Sequence, residues 1–433
     1  MSRECVLDEV VTKFFLNTCR LYPQPSKYAV EAAVRCIYIA TRRSSRDAES
    51  DLIPLITGSV AEFYIEPMLP HIGDIDIMYH HSTQLAIPRG HPPPTQLPAE
   101  FHNYVKVHEI VDSHLPGYVY LQLRYLLTEY TDDDTYSYYE YDRGMYLVNV
   151  VGGCDERINM HGPALLTDYS DSSSMLSIDV VPCVRCLSWP SQAADWPTRH
   201  RNYDWPDSAT IDHVVSNGCD VVGVAHRQCR NEGMGKYQHR LSFSRAENVL
   251  INSWMPVQQI VYHMLRVFVK TARLADSGNN SEACVLSNYH IKTLMMWACE
   301  LKSTAFWTDD LNLVRIGVEL LHTLSVWLTD TRCQHYFINS CNLIDKTVSM
   351  KTISSQLNAM DSAWLSTWFV NYYMQKCFAL YPDNVSSLFG DISTSTKLQN
   401  TVSAVIRWRL NMVMRAFRKK LRHCSDTEMP DRV

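Results

Sequence analysis

Gly58-Ser59-Val60-Ala61-Glu62 and Asp74-Ile75-Asp76-Ile77 are the stretches on which the reading of this chain turns. The first is a small Gly-Ser turn. The second alternates carboxylates with isoleucines, the pattern of a half-buried β-strand. Period-two geometry puts Asp74 and Asp76 on one face and Ile75 and Ile77 on the other. Two same-face carboxylates repel unless a cation sits between them. Hard divalent ions want such oxygen ligands, and Mg²⁺ usually shares them with substrate phosphates. A nearby turn of backbone N–H groups can hold those phosphates. This is the local chemistry of nucleotidyl transfer.

Asp179 is the third piece. Met175 to Cys183 reads as a buried strand, and a charged residue flanked by Ile178, Val180 and Val181 needs a partner or a reason. A salt bridge or a strand-end carboxylate explains Asp179 taken alone. Beside the Gly-Ser turn and the acid pair it completes a set. Three converging carboxylates can hold two Mg²⁺ ions about 3.5–4 Å apart, one activating a ribose hydroxyl and the other neutralising a departing pyrophosphate.

The chain has 433 residues, enough for two or three lobes and a large core. Hydrophobic content of 46% with 20% charged residues marks a globular chain rather than a disordered one. A net charge of −6 opposes polyanions globally, so any nucleic-acid contact must use a local basic patch. No N-terminal signal and no apolar run of membrane-spanning length is visible, which with 14 cysteines reads as a cytoplasmic chain of reduced thiols and no membrane partner. Cys183-Val184-Arg185-Cys186 is the single CxxC pair. Without a second pair of ligands it is a weak zinc signal, and buried free thiols are the preferred reading.

Helical spacing runs through Val6, Val10 and Phe14, and again through Ala29, Ala33 and Ile37. Ile53 to Ile56 leads into the Gly-Ser turn. His91-Pro92-Pro93-Pro94 marks a surface loop. Val105 to Val111 and Tyr118 to Leu127 look like strand or mixed segments. Asp132-Asp133-Asp134 and the surrounding tyrosines suggest an exposed acidic loop, and Trp189 to Pro206 an irregular connection. From Glu247 onward the pattern is helical, most clearly over Val257–Leu274, Tyr289–Leu301, Leu311–Leu328, Ala363–Leu380 and Thr401–His423. The reading is α+β: a mixed β-sheet lobe followed by a helical lobe.

With these residues in view, the chain resembles the cyclic GMP–AMP synthase family, meaning the cGAS-like receptors and their Mab-domain relatives. Gly58-Ser59-Val60-Ala61-Glu62 looks like the family's GSxxE turn, Asp74-Ile75-Asp76 like its paired metal ligands, and Ser177-Ile178-Asp179-Val180-Val181-Pro182 like its third-acid strand. Arg240-Leu241-Ser242-Phe243-Ser244-Arg245-Ala246-Glu247 resembles its RxSFSxxE stretch, and Ser287-Asn288-Tyr289-His290-Ile291-Lys292-Thr293 its SxYHxKT helix start. The resemblance implies a bilobal nucleotidyltransferase fold, with a catalytic lobe and N-terminal spine helix over 1–250 and a helical-bundle lobe over 251–433.

It also implies roles. Gly58 and Ser59 would contact a triphosphate, and Asp74, Asp76 and Asp179 would hold two Mg²⁺ or Mn²⁺ ions. Tyr289 would stack on a nucleobase. Arg240, Ser242, Ser244 and Ser287 would donate to bases or phosphates, and Arg266 falls near the position of a phosphate-contacting lysine. Tyr289 packing a helix start with Ser287 as its cap, and Arg240 in an ordinary surface pair, are the structural alternatives. Asn248 to Pro256 contains no Cys or His, so the zinc-bearing DNA platform of the vertebrate member is not expected, and no zinc with it. Asp74 stands where that member has Glu.

The expected activity is therefore that of an innate immune receptor. It would be a ligand-activated enzyme joining two nucleoside triphosphates into a cyclic dinucleotide, with double-stranded RNA favoured as activator. Arg42, Arg43 and Arg46 are the candidate activator patch, with a second basic set from Arg407 to Arg422. A catalytically silent Mab-type interaction protein and a linear oligonucleotide synthase are the rival readings.

Overall fold

A computed structural model of the chain describes residues 3–18, 52–57, 75–130, 135–149, 159–161, 164–171, 174–230, 232–272, 286–308, 312–344 and 350–375. Ten strands build one mixed sheet: β1 (Leu52–Thr57), β2 (Ile75–Pro88), β3 (Tyr104–Asp112), β4 (Tyr118–Tyr130), β5 (Thr135–Glu140), β6 (Asn159–His161), β7 (Ala164–Asp171), β8 (Ser174–Cys186), β9 (Cys219–Val222) and β10 (Gln238–Ser242). Their order is β1-β2-β3-β4-β10-β9-β8-β7-β6, with β5 on β4. β2 also pairs with β8 in parallel, so the ladder β2–β3–β4–β10–β9–β8 closes on itself. A register shift between His80 and Leu85 makes this possible. The first half of β2 lies between β1 and β8, and its second half pairs with β3.

Nine α-helices are described: α1 (Arg3–Thr18), α2 (Ser208–Ser216), α3 (Ser244–Asn252), α4 (Pro256–Ala272), α5 (Asn288–Leu301), α6 (Thr304–Thr308), α7 (Leu313–Thr329), α8 (Lys351–Asn358) and α9 (Ser362–Trp368), the last continued by a π-helical turn over Phe369–Met374. α4 is the axis of the helical layer, since every residue from Gln258 to Val269 is buried. A helix apolar nearly all round is one surrounded by others. α1, from the opposite end of the chain, docks on this layer. Val11, Phe14 and Phe15 are fully buried, and Phe15 stacks on Tyr373 with ring centroids 5.4 Å apart. Asp8 on the same helix accepts from the Ser366 hydroxyl at 2.5 Å and from Asn312 Nδ2 at 3.3 Å.

One hydrophobic core joins sheet and helices, running from Val184, Val221 and Leu241 to Leu250, Phe268 and Leu321. At the junction Phe243 stacks on Phe337 at 4.5 Å. The irregular connection expected over Trp189 to Pro206 carries no strand and only one short 3₁₀ turn. It is fastened by Arg199, whose guanidinium lies 4.4 Å from both the Trp297 and the Tyr336 rings and donates to Glu300 Oε2 at 2.6 Å. The turn into β9 needs glycine: Gly218 has φ +60°, and a Cβ there would meet the Cys186 carbonyl oxygen at 2.3 Å.

The structure corrects one part of the local reading. Thr135–Glu140 is a strand rather than part of an acidic loop. Its tyrosines have high β-propensity but face solvent at Tyr138 and Tyr139, so the apolar alternation that signals a strand is missing. β6, β7, β9 and α2 were also not read from the sequence. Cys183 and Cys186 fall on opposite faces of β8, with Cys183 beside Met78 and Val222 and Cys186 in the main core. Both are buried free thiols. No described helix is long and apolar enough to cross a membrane. Residues 29–38 and 401–423, Arg42, Arg43, Arg46 and the second basic set lie outside the described residues.

Candidate active site

The site is built on the parallel pairing of β2 with β8. Asp76 and Asp179 are register partners in that ladder. Partners in a parallel ladder project from the same face, with strands about 4.8 Å apart. Both residues are half-buried. The two acids are separated by about a hundred residues of sequence, and the closure of the sheet sets them side by side. Side-by-side carboxylates of this kind can supply oxygen ligands to a hard divalent cation.

On the other side of β2, Thr57 is the register partner of Asp76 and donates its hydroxyl to the Asp76 carbonyl at 3.4 Å. Thr57 is the residue before Gly58. Gly58, Ser59, Glu62 and Asp74 themselves lie outside the described residues. Among the described residues no group of three or more metal-binding side chains occurs, so Asp76 and Asp179 are the two carboxylates that this structure brings together.

β10 and the start of α3 carry the polar residues of the RxSFSxxE stretch. Ser242 Oγ and Ser244 Oγ are 3.2 Å apart, and Ser242 Oγ reaches Met78 Sδ at 3.9 Å. Met78 is two residues beyond Asp76 on the same face of β2. The serine pair therefore stands over the strand that bears the acids. Arg240 is exposed and is the register partner of Tyr118 on β4. Burial raises the Tyr118 phenol pKa, and the Arg240 charge opposes the rise.

Tyr289 is held by a buried relay. Its hydroxyl donates to Glu247 Oε1 at 3.1 Å and lies 3.1 Å from His335 Nε2. His335 Nδ1 accepts from the backbone N–H groups of Phe337 and Ile338, both at 3.1 Å. The imidazole proton is therefore on Nε2, and Tyr289 oxygen accepts it. Lys292 Nζ closes the set on Glu247 Oε2 at 2.8 Å. Burial first, then the Glu247 charge, push the Tyr289 phenol well above its ordinary pKa. Burial, then the Arg240 charge, hold His335 down at about 3. Both groups are neutral at physiological pH, and the half-buried ring of Tyr289 is fixed by its hydroxyl end.

Ser287 precedes α5, and His290 Nδ1 accepts from its N–H at 3.2 Å and lies 2.9 Å from its Oγ. Ser287 thus takes part in capping the helix that presents Tyr289. Arg266 is buried in α4 with its guanidinium 5.3 Å from the Tyr262 ring, so its described ring contact is within the helical layer. Reasoning from the sequence assigned no role to Lys292 or His335. Lys292 sat inside a quoted motif, whereas His335 is in an irregular segment with no local pattern to mark it.

A mixed sheet presenting paired carboxylates, joined through a serine-bearing strand to a helical lobe, defines a nucleotidyltransferase-type fold. Comparison with known proteins agrees. Residues 147–253 match the Mab-21 protein nucleotidyltransferase domain and residues 257–378 the Mab-21 protein HhH/H2TH-like domain. The chain belongs to the Mab-21 family. It is 28% identical over 170 residues to a protein mab-21-like from Aedes aegypti, covering 38% of this chain and 44% of that protein. It is 25% identical over 203 residues to protein mab-21-like 3 from Danio rerio, covering 46% and 47%. A Drosophila melanogaster protein mab-21-like is 25% identical over 212 residues, covering 46% and 55%. The matches thus span about half the length of these curated relatives.

Proposed function

We propose that this chain is a cGAS-like receptor: a cytoplasmic, ligand-activated nucleotidyltransferase that joins two nucleoside triphosphates into a cyclic dinucleotide signal of innate immunity. The observation that carries the reading is the register pairing of Asp76 with Asp179. Two carboxylates on one face of paired strands are the oxygen donors that a hard divalent cation takes. Asp76, Asp179 and Asp74 would hold two Mg²⁺ or Mn²⁺ ions, which would acidify the ribose hydroxyl and neutralise pyrophosphate.

The chain's own groups would bind and orient. Gly58 and Ser59 follow Thr57, the register partner of Asp76, and would receive the triphosphate. Ser242, Ser244, Arg240 and Ser287 would donate to base or phosphate oxygens, and Arg266 would reach phosphate from α4. The Tyr289 ring, anchored at its hydroxyl by Glu247 and His335, would offer a rigid face to a base. Double-stranded RNA would act as the trigger through Arg42, Arg43 and Arg46.

The test incubates the full chain with mixed nucleoside triphosphates, Mg²⁺ or Mn²⁺ and duplex RNA, and measures pyrophosphate release and product mass. A phosphatase-resistant product with the mass of a cyclic dinucleotide is expected. A phosphatase-sensitive chain would make it a linear synthase. No product with RNA, DNA or other activators would mark a catalytically silent Mab-type interaction protein.

A further inference from the structure

The tyrosine-rich hairpin of β4 and β5 is a part of the sheet that the proposed reaction leaves unused. β5 pairs with β4 alone, so its other side is a sheet edge. Two hydrogen bonds fix which residues face that edge. Tyr141, one step beyond the Tyr125–Glu140 register pair, donates its N–H to the Arg124 carbonyl at 2.9 Å. Tyr139 and Ser137, two and four residues back, therefore also turn their backbone groups toward β4. Tyr136 donates outward instead, to the Thr95 carbonyl at 2.9 Å. Tyr138 and Glu140 share its direction and point their N–H and C=O groups outward. Among the described residues neither has a backbone partner on that side.

Natural sheets guard such an edge with lysine, proline or a bulge. β5 has none of these: it reads Thr-Tyr-Ser-Tyr-Tyr-Glu and keeps one register with β4 throughout. Tyr138 is 55% and Tyr139 63% exposed, on opposite faces of the strand. The Tyr138 ring stands edge-on to Tyr125 with centroids 5.5 Å apart, and Tyr139 edge-on to Tyr141 at 5.1 Å. Charge decides what can approach. No Lys or Arg occurs from Tyr125 to Asp142, whereas Glu129, Glu140 and Asp142 lie in that stretch. Glu140 and Asp142 are exposed. Arg124 is occupied by Glu140 and by the Tyr141 carbonyl. A second copy of this chain would bring these acids against their own kind, which disfavours self-pairing. A strand bearing Lys or Arg would meet carboxylates and open tyrosine rings, and both attract cations.

We propose that the free edge of β5 takes an added strand from a partner protein: an extended segment with Lys or Arg at alternate positions, paired through its backbone to Tyr138 and Glu140. The backbone bonds supply affinity, and the alternate cations, set over the tyrosine rings and carboxylates, supply specificity. Thr95 already fills the first outward position, at Tyr136, so the added strand begins at Tyr138. The inference does not rest on the nucleotidyl-transfer reading.

The experiment titrates the full chain into a fluorescein-labelled peptide of alternating lysine and valine at physiological salt and follows fluorescence polarisation. Saturable binding is expected, with amide hydrogen exchange slowed at Tyr138 and Glu140. The same peptide with glutamate in place of lysine should bind at least about tenfold more weakly. Tyr138→Pro removes an outward donor and no bond to β4, so it should keep its thermal midpoint and bind the lysine peptide about fivefold more weakly, the worth of one backbone hydrogen bond. Two further peptides, N-methylated on the lysines or on the valines, probe the wild-type protein and so do not depend on a variant folding. Only one set of N–H groups faces β5, so one of the two should lose binding and the other keep it. No binding of the lysine peptide, equal binding of the glutamate peptide, or equal binding of the two N-methylated forms overturns the inference. A folded Tyr138→Pro protein that binds as tightly as wild type overturns it as well. So does a wild-type dimer in sedimentation that Tyr138→Pro abolishes, which would assign the edge to a second copy.

Discussion

Glu247→Gln should be among the most damaging isosteric changes available in this protein. Glu247 is 3% exposed, and its two oxygens take the Tyr289 hydroxyl at 3.1 Å and the Lys292 ammonium at 2.8 Å. The Lys292 side chain is itself only 12% exposed. Glutamine keeps the volume but removes the charge, so the buried pair of Glu247 with Lys292 is broken from one side. Breaking a buried ion pair from one side costs about 3–5 kcal/mol. Removing both charges is far milder, because neither must then be desolvated. The double variant Glu247→Gln/Lys292→Met should therefore recover at least half of the loss, a coupling of about 2 kcal/mol. Urea unfolding followed by tryptophan fluorescence reads both values. A single variant within about 0.5 kcal/mol of wild type, or a double variant less stable than the single one, would refute the claim that this pair is buried and coupled. Because the same carboxylate fixes the Tyr289 hydroxyl, the single variant should also weaken nucleotide binding, which titration calorimetry records.

Further predictions follow from the same structure. His80, His108 and His239 are held at about 4 by burial, so the unfolded chain, with histidines near 6.5, binds more protons between those values. Stability is then full above about pH 6.5 and lost as pH falls toward 4, by roughly 3 kcal/mol for each buried histidine; a urea midpoint that stays flat from pH 6.5 to 4.5 would contradict this. Mg²⁺ at ten times its dissociation constant should raise stability by about 1.4 kcal/mol, reversed by EDTA and absent in Asp179→Asn, as a thermal-shift titration would show. Asp179→Asn should also abolish nucleotide product in a protein that still folds, as product mass and a cooperative thermal transition would show. Phe15→Ala empties a fully buried ring site between Tyr373 and Phe369 and should cost about 3–5 kcal/mol; a loss under 1 kcal/mol would mean that α1 does not dock where it is seen.

Much of the architecture is local in origin and could be read locally. The helices from α4 onward follow apolar spacing that the chain states outright, as in Val257 to Ala272. The strand around Asp179 was legible because Val180, Val181 and Cys183 leave a lone carboxylate among apolar residues. What escaped was structure without an apolar signature. β5 is tyrosine-rich and solvent-facing, and β9 is only four residues long. His335 is positioned by Phe337 and Ile338 backbone groups in a segment with no regular period.

The sequence by itself determined the chemistry on offer: three aspartates, a Gly-Ser turn, a serine-rich strand and a tyrosine at a helix start. Those are properties of residue type and short spacing, and they survive in any fold. Only the tertiary structure decided that Asp76 meets Asp179, because that depends on a parallel pairing between strands remote in sequence and on a register that a one-residue slip would invert. The same is true of Glu247 with Lys292 and of Asp220 with Arg245, whose charges are matched by the packing of α3 on α5 and β9.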